Sequence, residues 1–497
     1  MSTATERFDV VIIGAGVVGS SIARVLSRFE GSFAVVEKAH DVGMAASARN
    51  SGVIHAGINY APDSLRARFC MEGRQLLQQW CRELNVPVSI CGKLVIAQSQ
   101  EDLPALQHLL SQGEANGVPH LHLVSRDEAT ALQPGVECVA ALHVPSSGVV
   151  PPYAMTLAMA EDAAANGVVF HLGCEATGVV AAADGFVVET TAGALHARVL
   201  VNAAGIHAGR IARWLDPDAP EVYPCVGEYL ILDRQVGERF AMSVYPAPRA
   251  DGAGLGVHIT PTVEGNVLLG PSNEYVADPE GTGCTQCTSD RLLDEATVIW
   301  PELPRQLVIG AYAGIRAKLT PPEVGGFGDY VLLTTPEHPN ALHLLGIESP
   351  GLTAAPALAV HVVDGFLSGA KLKPKRADRV RIRRWPDRFD ELSEEEKARR
   401  VAEDPEQGDI VCRCEGVTKR EILHALDNPL HVRTLSGIKF RTRSMMGRCS
   451  GGYCLPRIVE ILQNERSWSP DDFFLRGPDS PAFAGRLLEV NRDTARS

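Results

Sequence analysis

A strand buried on both faces that runs straight into a glycine turn and a helix leaves a chain few folds to choose from. Asp9-Val-Val-Ile-Ile13 is apolar after its first residue, the pattern of a strand covered on both sides of a parallel sheet. Gly14-Ala-Gly-Val-Val-Gly19 follows, then a helical run to about Phe29, then a second buried strand, Ser32–Glu37, ending on an acid. This βαβ unit commits the chain to an α/β fold. Gly14 permits the tight turn, Gly16 lets a pyrophosphate approach the backbone, and Gly19 lets helix pack closely on strand. The helix N-terminus offers N–H groups to phosphates, and Glu37 accepts hydrogen bonds from ribose hydroxyls. The pattern identifies a dinucleotide site and does not choose between FAD and NAD.

The length of 497 residues sets a prior of about three domains. A net charge of −13 repels nucleic-acid backbones, so nucleic acid is not an expected partner. No uninterrupted apolar run reaches the roughly 20 residues of a membrane helix. The most apolar stretch, Ala341–Phe366, is broken by Glu348, Pro350, His361 and Asp364. Met1–Arg7 is short and polar, with no signal-peptide core. The expectation is a cytoplasmic protein with no integral membrane segment, peripheral to the inner membrane only through a partner.

Further along, the parallel-type strand Ala197–Asn202 ends in Ala203-Ala204-Gly205. Helical stretches cover Ser64–Leu84 and Pro151–Asn166. Glu221 to about Ile315 is β-rich, with strands at Glu228–Leu232, Val257–Thr260 and Asn266–Leu269. A strand at His343–Gly346 and a helix at Thr353–Leu367 return the chain to the first domain. The expected architecture is a Rossmann-type nucleotide-binding domain with an inserted antiparallel-sheet substrate domain. Together they span 8–370, the nucleotide parts being about 8–85, 150–215 and 335–370 and the substrate parts about 86–149 and 216–334. Half of Lys371–Arg388 is Lys or Arg, and acidic runs at Glu394–Glu396 and Glu403–Asp409 reverse the sign. Residues 371–409 therefore read as a linker or surface strap. A compact module follows at 410–465, then a tail, 466–497.

Four of the 12 cysteines fall together, as Cys412-Arg-Cys414 and Cys449-Ser-Gly-Gly-Tyr-Cys454. C-x-C with C-x4-C is a ligation pattern, and thiolates bind soft or borderline metals. Zinc is the alternative to iron–sulfur. Cys284-Thr-Gln-Cys287 has no second pair nearby and reads as a surface loop.

The segment Ala48-Arg-Asn-Ser-Gly-Val-Ile-His-Ala-Gly-Ile-Asn-Tyr60, continuing through Ser64-Leu-Arg-Ala-Arg-Phe-Cys70, resembles the flavin-contacting segment of the D-amino-acid-oxidase-like superfamily of FAD-dependent oxidoreductases. The resemblance is strongest to L-2-hydroxyglutarate dehydrogenase and the large subunit of anaerobic glycerol-3-phosphate dehydrogenase. Cys91-Gly-Lys-Leu-Val95, Gly227-Glu-Tyr229, Leu255-Gly-Val-His-Ile-Thr-Pro261, Gly314-Ile-Arg316 and Ile347-Glu-Ser-Pro-Gly-Leu-Thr353 extend it. It implies FAD as the cofactor, bound extended from Gly14–Glu37 to the segment Asn50–His55. Asn50, Ser51, Gly52, Val53, Ala204, Gly205, Gly314, Gly351, Leu352 and Thr353 complete the implied cofactor set. Gly351-Leu352-Thr353 opens a helix whose positive end stabilises negative charge on the flavin. Arg316 matches a family arginine that binds substrate anions. Lys318 would assist it, with Glu228 and Tyr229 on the same wall. His55 and His258 compete for the role of base. The chain departs from the L-2-hydroxyglutarate enzymes at Val226, where they carry arginine, and after Gly270-Pro271, where their basic-aromatic stretch is replaced by Ser272-Asn-Glu-Tyr.

Val411–Glu415, the helix Lys419–Leu426 and Arg443-Ser-Met-Met-Gly-Arg-Cys449 resemble the bacterioferritin-associated-ferredoxin-like [2Fe–2S] domain. The resemblance implies Cys412, Cys414, Cys449 and Cys454 as ligands, with Gly447, Gly451 and Gly452 freeing amides for the sulfurs. A two-electron flavin joined to a one-electron centre suits a dehydrogenase that feeds a partner subunit or a quinone-linked protein. Glycerol 3-phosphate leads as substrate. L-2-hydroxyglutarate, an opine- or hydroxyproline-type amine, and a non-catalytic electron-transfer subunit are the alternatives.

Overall fold

The computed structural model describes residues 6–248, 256–370 and 372–485. Leu255 of the motif around His258, Lys371 of the strap and the end of the tail lie outside them. The chain divides into two compact units. The first runs to Val36 and takes up Gly43–Phe170 and Ala176–Arg384; the second comprises Glu37–Val42, His171–Glu175 and the chain from Trp385 onward.

In the first unit β1 (Glu6–Ile13) leads through the glycine turn into α1 (Val17–Leu26), and β2 (Phe33–Glu37) returns parallel to β1, Ile13 opposite Val36. Val10, Val11, Ile12, Ala34 and Val35 are fully buried, as a strand pair covered on both faces requires. The helix stops before Phe29 because Phe29 and Glu30 leave it to pair with Lys373 and Pro374. β3 (Val53–Ile54) precedes α2 (Leu65–Leu84), whose N-cap Ser64 accepts from the Ala67 amide and whose end is closed by Asn85 in the left-handed region. After β4 (Lys93–Ala97) and α3 (Pro152–Ala165), β5 (Gly193–Asn202) lies parallel to β1 on its other side. β5 is longer than its apolar run because its first half also pairs with Gly185–Thr190.

The inserted layer consists of β6 (Tyr223–Leu232), β7 (Ser243–Pro246), β8 (His258–Pro261), β9 (Val267–Gly270), α4 (Gln286–Ile299) and β10 (Val308–Lys318). The chain then re-enters the first sheet as β11 (Ala341–Leu345) and closes with α5 (Gly351–Asp364). The parallel order is β2-β1-β5-β11, and the second sheet runs β10-β6-β9-β8-β7-β4. Leu94, Leu230, Leu232, Val244, Ile259 and Leu269 pack on one face of that sheet with Leu292 and Ala296 of α4. Side chains alternate along a strand, so Lys93, Tyr229, Tyr245 and His258 stand on the opposite face.

Gly351–Ala370 is the one stretch among the described residues long and apolar enough to cross a membrane; most of it is buried within the protein, where α5 packs on α1 and α2. The first part of the basic strap stays with the first unit. Lys375 N donates to Arg28 O, Arg381 N to Asn166 Oδ1, and Arg383 pairs with Glu161.

The second unit holds β12 (Ile410–Cys412), α6 (Lys419–Leu426), α7 (Leu435–Thr442) and α8 (Cys454–Arg466). Val411, Ile422, Leu435, Ile438, Ile458, Leu462 and Phe473 form its core. Thr418 and Glu421 close a capping box at α6. Asp41 receives two hydrogen bonds from Arg441, at 2.6 and 3.2 Å, with both side chains almost wholly buried.

Candidate active site and thiol cluster

The phosphate turn is set by packing. Gly14 has φ +101°, and a Cβ on it would lie 2.6 Å from Ala203 O. A Cβ on Gly19 would lie 1.9 Å from Gly14 O. At Gly16 a Cβ would lie 3.1 Å from Ser47 Oγ, so a side chain there would crowd the turn. No side chain caps α1 at Gly16; Ser47 Oγ accepts from Val17 N at 2.8 Å. Ala204 donates to Asn202 Oδ1, and Gly205 turns away at φ +57°. Glu37 ends β2 and accepts from Ala39 N.

The flavin-side segment is held just as tightly. Asn50 accepts from Gly52 N and donates to Ala46 O and Ser47 O, while its own carbonyl receives Tyr312 Oη at 3.0 Å. A Cβ on Gly52 would lie 2.2 Å from Val150 O, and one on Gly314 would lie 2.1 Å from Arg49 O. Thr353, in the first turn of α5, accepts from His55 N at 3.0 Å and donates to Val53 O at 3.3 Å. The hydroxyl of Thr353 is therefore spent on the backbone around β3; no side chain caps the start of α5, and the Gly351 amide donates to Glu348 O.

His55 stands between two hydroxyls, with Tyr60 Oη 3.1 Å from Nδ1 and Ser349 Oγ 3.2 Å from Nε2. Burial, and then the charges of Lys93, the His258 ring and Arg66, hold it well below the usual imidazole range. His258 donates from Nδ1 to Gly256 O at 3.1 Å, which leaves Nε2 as an acceptor, and its ring stacks on Tyr245 at 3.8 Å. Burial brings His258 down to about 3. Arg316, on β10 opposite Cys225, donates to Ser272 O at 3.0 Å, Asn273 Oδ1 at 3.3 Å and Val226 O at 3.4 Å. It has no carboxylate partner among the described residues. Tyr229 stacks on Tyr312 at 4.8 Å.

One of the sequence-derived residues, Glu228, stands apart from this group. Adjacent strand residues point to opposite faces, so Glu228 turns away from Tyr229. Its carboxylate accepts from Thr285 N at 2.8 Å, at the start of α4. That start also places Cys287 inside the first turn of α4 rather than in a loop; Cys284 and Cys287 are both exposed. Lys318, two residues beyond Arg316 on β10, shares its face and feels the charges of Glu348 and Arg316; its Nζ donates to Gly326 O and lies 4.5 Å from the Phe327 ring. Sequence reasoning passed over Tyr60, Lys93, Tyr245 and Ser349. All four are polar side chains whose neighbours come from distant elements. Tyr60, Lys93 and Ser349 sit in motifs already noted, and this was the one signal available.

In the second unit Cys414 Sγ and Cys449 Sγ are 3.7 Å apart, and the Cys454 thiol hydrogen-bonds to Cys412. That bond, with the amides of Glu415, Met445 and Cys414, pulls Cys412 down to about 6 despite burial. The amides of Tyr453 and Gly451 hold Cys449 low as well. A Cβ on Gly447 would lie 2.2 Å from Cys414 Cβ, so no other residue fits there. Two thiol pairs ringed by amides suit a two-iron cluster better than one tetrahedral ion. Cys412 and Cys454 form the buried pair, and Cys449 is exposed.

Comparison with known proteins agrees with both sites. Residues 9–364 match the family model of FAD-dependent oxidoreductases, and 410–464 match the BFD-like [2Fe–2S] binding domain. A glycerol 3-phosphate dehydrogenase of Caloramator mitchellensis is 35 % identical over 460 residues, 92 % of this chain and 94 % of that one. A mitochondrial L-2-hydroxyglutarate dehydrogenase of Arabidopsis thaliana is 32 % identical over 410 residues, covering 73 % of this chain and 84 % of its own. Among solved structures, the FAD-bound L-α-glycerophosphate oxidase of Mycoplasma pneumoniae superposes with TM-score 0.69 at 28 % identity, over 75 % of this chain and 97 % of that one. The chain belongs to the FAD-dependent oxidoreductase family, an FAD flavoenzyme that carries a C-terminal [2Fe–2S] domain of the BFD-like type.

Proposed function

We propose that this enzyme is a dehydrogenase that oxidises the CH–OH group of a small anionic substrate, glycerol 3-phosphate foremost, to the corresponding carbonyl. The electrons would leave through the [2Fe–2S] centre to a partner subunit or a quinone-linked protein. The observation that carries this reading is Arg316, a guanidinium that donates to the Ser272 carbonyl and the Asn273 side-chain amide and has no carboxylate partner among the described residues.

FAD, when bound, supplies the hydride acceptor. The remaining work falls to side chains. His55 takes the substrate hydroxyl proton on one ring nitrogen, and the hydroxyl at the other nitrogen, Tyr60 or Ser349, fixes the tautomer. Arg316 binds the anionic tail with a planar fork. The stacked Tyr229 and Tyr312 rings form an apolar wall that limits water. Gly14, Gly16, Gly19 and Glu37 would hold the adenosine end of FAD, and Asn50–Val53, Ala204, Gly205, Gly314, Gly351, Leu352 and Thr353 the rest of it. His258, with Nε2 open, is the second candidate for contact with the substrate. A location in the cytoplasm, with any membrane contact made through the partner, fits this route.

The glycerol 3-phosphate reading is supported by a relative that matches both modules over most of its length. The alternative, L-2-hydroxyglutarate, has its own relatives in Arabidopsis and human, and Val226 stands against it. The deciding experiment is anaerobic bleaching of the flavin band by glycerol 3-phosphate, L-2-hydroxyglutarate and a set of imino acids. Glycerol 3-phosphate is expected to bleach fastest. Bleaching by imino acids alone would overturn the CH–OH assignment.

A further inference from the structure

Both partners of the His55 ring lean on one guanidinium that has no role in the scheme above. Arg66, in the first turn of α2, is buried. Its backbone is fixed from outside the helix, since Asp329 accepts from the Leu65 amide at 2.9 Å and from the Arg66 amide at 3.0 Å. Its side chain donates to Gly328 O at 2.9 Å and to Ser349 O. The rings of Phe327, Tyr60 and Tyr330 surround the guanidinium at 5.0, 5.4 and 5.6 Å. The nearby acid, Glu348, stands 3.7 Å away, and its Oε2 has no hydrogen-bond partner among the described residues. A guanidinium kept for charge pairing takes a carboxylate with its fork, in two bonds of roughly 2.7–2.9 Å. The bonds of Arg66 go to backbone carbonyls instead, although burying a charge in this way is unfavourable.

Those contacts converge on the base. Ser349, whose carbonyl Arg66 holds, sets its Oγ 3.2 Å from His55 Nε2. Tyr60, whose ring faces the guanidinium, sets its Oη 3.1 Å from His55 Nδ1. The two hydroxyls are themselves 3.5 Å apart. One side chain therefore touches both residues that govern which nitrogen of His55 carries the hydrogen. We propose that Arg66 is a positioning residue for the base: it holds the Tyr60 ring and the Ser349 backbone so that one hydroxyl fixes the tautomer of His55 and the other nitrogen is presented to the substrate. This rests on His55 being the base. Lysine is no substitute, because an ammonium is a point charge and does not span two carbonyls while lying against a ring.

The test is rapid-mixing bleaching of the flavin in the holoenzyme, by glycerol 3-phosphate and in parallel by L-2-hydroxyglutarate, which separates the limiting rate from the half-saturating concentration. Arg66→Lys should lower the limiting rate on the order of 10- to 100-fold, because a displaced base loses its line to the substrate hydroxyl. The half-saturating concentration should change by about twofold or less, because no substrate contact is removed. Arg66→Gln is the second variant. In Tyr60→Phe/Ser349→Ala both hydroxyls are absent, and adding Arg66→Lys should have almost no further effect, since residues that act through one another are not additive. Histidine ¹⁵N NMR of the holoenzyme reads the tautomer without any substrate. The two ring signals of His55, assigned by their loss in His55→Gln, should be well separated in the wild type and drawn together in Arg66→Lys. Added guanidinium should restore bleaching in Arg66→Ala, and added ammonium should not. A limiting rate and a tautomer that stay put in folded Arg66→Lys and Arg66→Gln would overturn the proposal and leave His55 as base. So would a full further loss in the variant without hydroxyls, or failure of all three Arg66 variants to fold, either of which would make Arg66 structural. A raised half-saturating concentration with an unchanged limiting rate would make it a substrate ligand instead. Wild-type rates in His55→Gln would overturn the base assignment, and the role of Arg66 with it.

Discussion

Arg316 donates to the carbonyls of Val226 and Ser272 and the side-chain amide of Asn273 and has no carboxylate in salt-bridge contact among the described residues; in the proposed site it binds the substrate anion. Losing the fork removes binding energy and lets the substrate C–H drift. A misplacement of about 1 Å can cost on the order of 100-fold in rate. Arg316→Ala should therefore lower kcat/KM by at least that factor, and Arg316→Lys should stay clearly impaired. The flavin-to-protein ratio should hold in both, since in the proposed site backbone groups hold the cofactor; loss of FAD would make Arg316 a cofactor ligand instead. His258 ties the same wall to stability. Its folded value of about 3 lies below the ordinary value of 6.5, so the unfolded chain takes up the proton first. Stability contributed by the neutral ring is complete above about 6.5 and is lost as pH falls towards 3. Urea midpoints should drop between pH 7 and pH 4, and His258→Phe, which keeps the stack on Tyr245, should flatten that slope.

At the scale of elements, the first turn of α5 clamps β3 through a single hydroxyl. Thr353→Val leaves the His55 amide and the Val53 carbonyl short of a partner. An unsatisfied buried group costs about 1–3 kcal/mol. The variant should show a lowered Tm together with slower flavin bleaching, because the backbone that carries His55 is released. A lowered Tm with unchanged bleaching would confine Thr353 to structure. Elements of this kind were legible wherever a local rule governs them. The run Asp9–Ile13, the glycine turn and Glu37 follow from periodicity and turn chemistry, and Ser64 announces α2. Glu228 beside Tyr229 shows the limit. Period-two alternation separates neighbours, and which face is the site depends on a core drawn from the other strands of the sheet and α4. Lys93 was opaque for the same reason, since a lysine in a motif does not tell whether an anion lies opposite it. The histidines were legible as a pair of candidates. Tyr60 and Ser349, which favour one of them, come from separate parts of the chain.

For the molecule as a whole, the iron–sulfur module lies downstream of the flavin in the proposed route. Purified protein should be yellow-brown with about two iron atoms per chain. Zinc without iron in anaerobically prepared protein would sink the cluster assignment. Cys449→Ser should leave bleaching by substrate nearly intact and slow the delivery of electrons to a one-electron acceptor. If bleaching itself collapses in folded protein, the order of transfer is reversed. The buried pair of Asp41 and Arg441 joins residues 400 positions apart within the second unit. Removing one member of such a pair costs about 3–5 kcal/mol because the other charge is left buried. Asp41→Asn and Arg441→Met should each lower Tm sharply, and the double variant should recover part of the loss.

That last contact has a consequence for how sequences of this type diverge. A change at position 41 passes through a poorly folded intermediate unless position 441 changes too, so the two should covary among homologues that keep both modules. The segment that follows β2 and the helix α7 of the same unit are then not free to be recombined from unrelated parents. A chimaera joined at the strap inherits one charge from each, and its yield should depend on whether the two signs match.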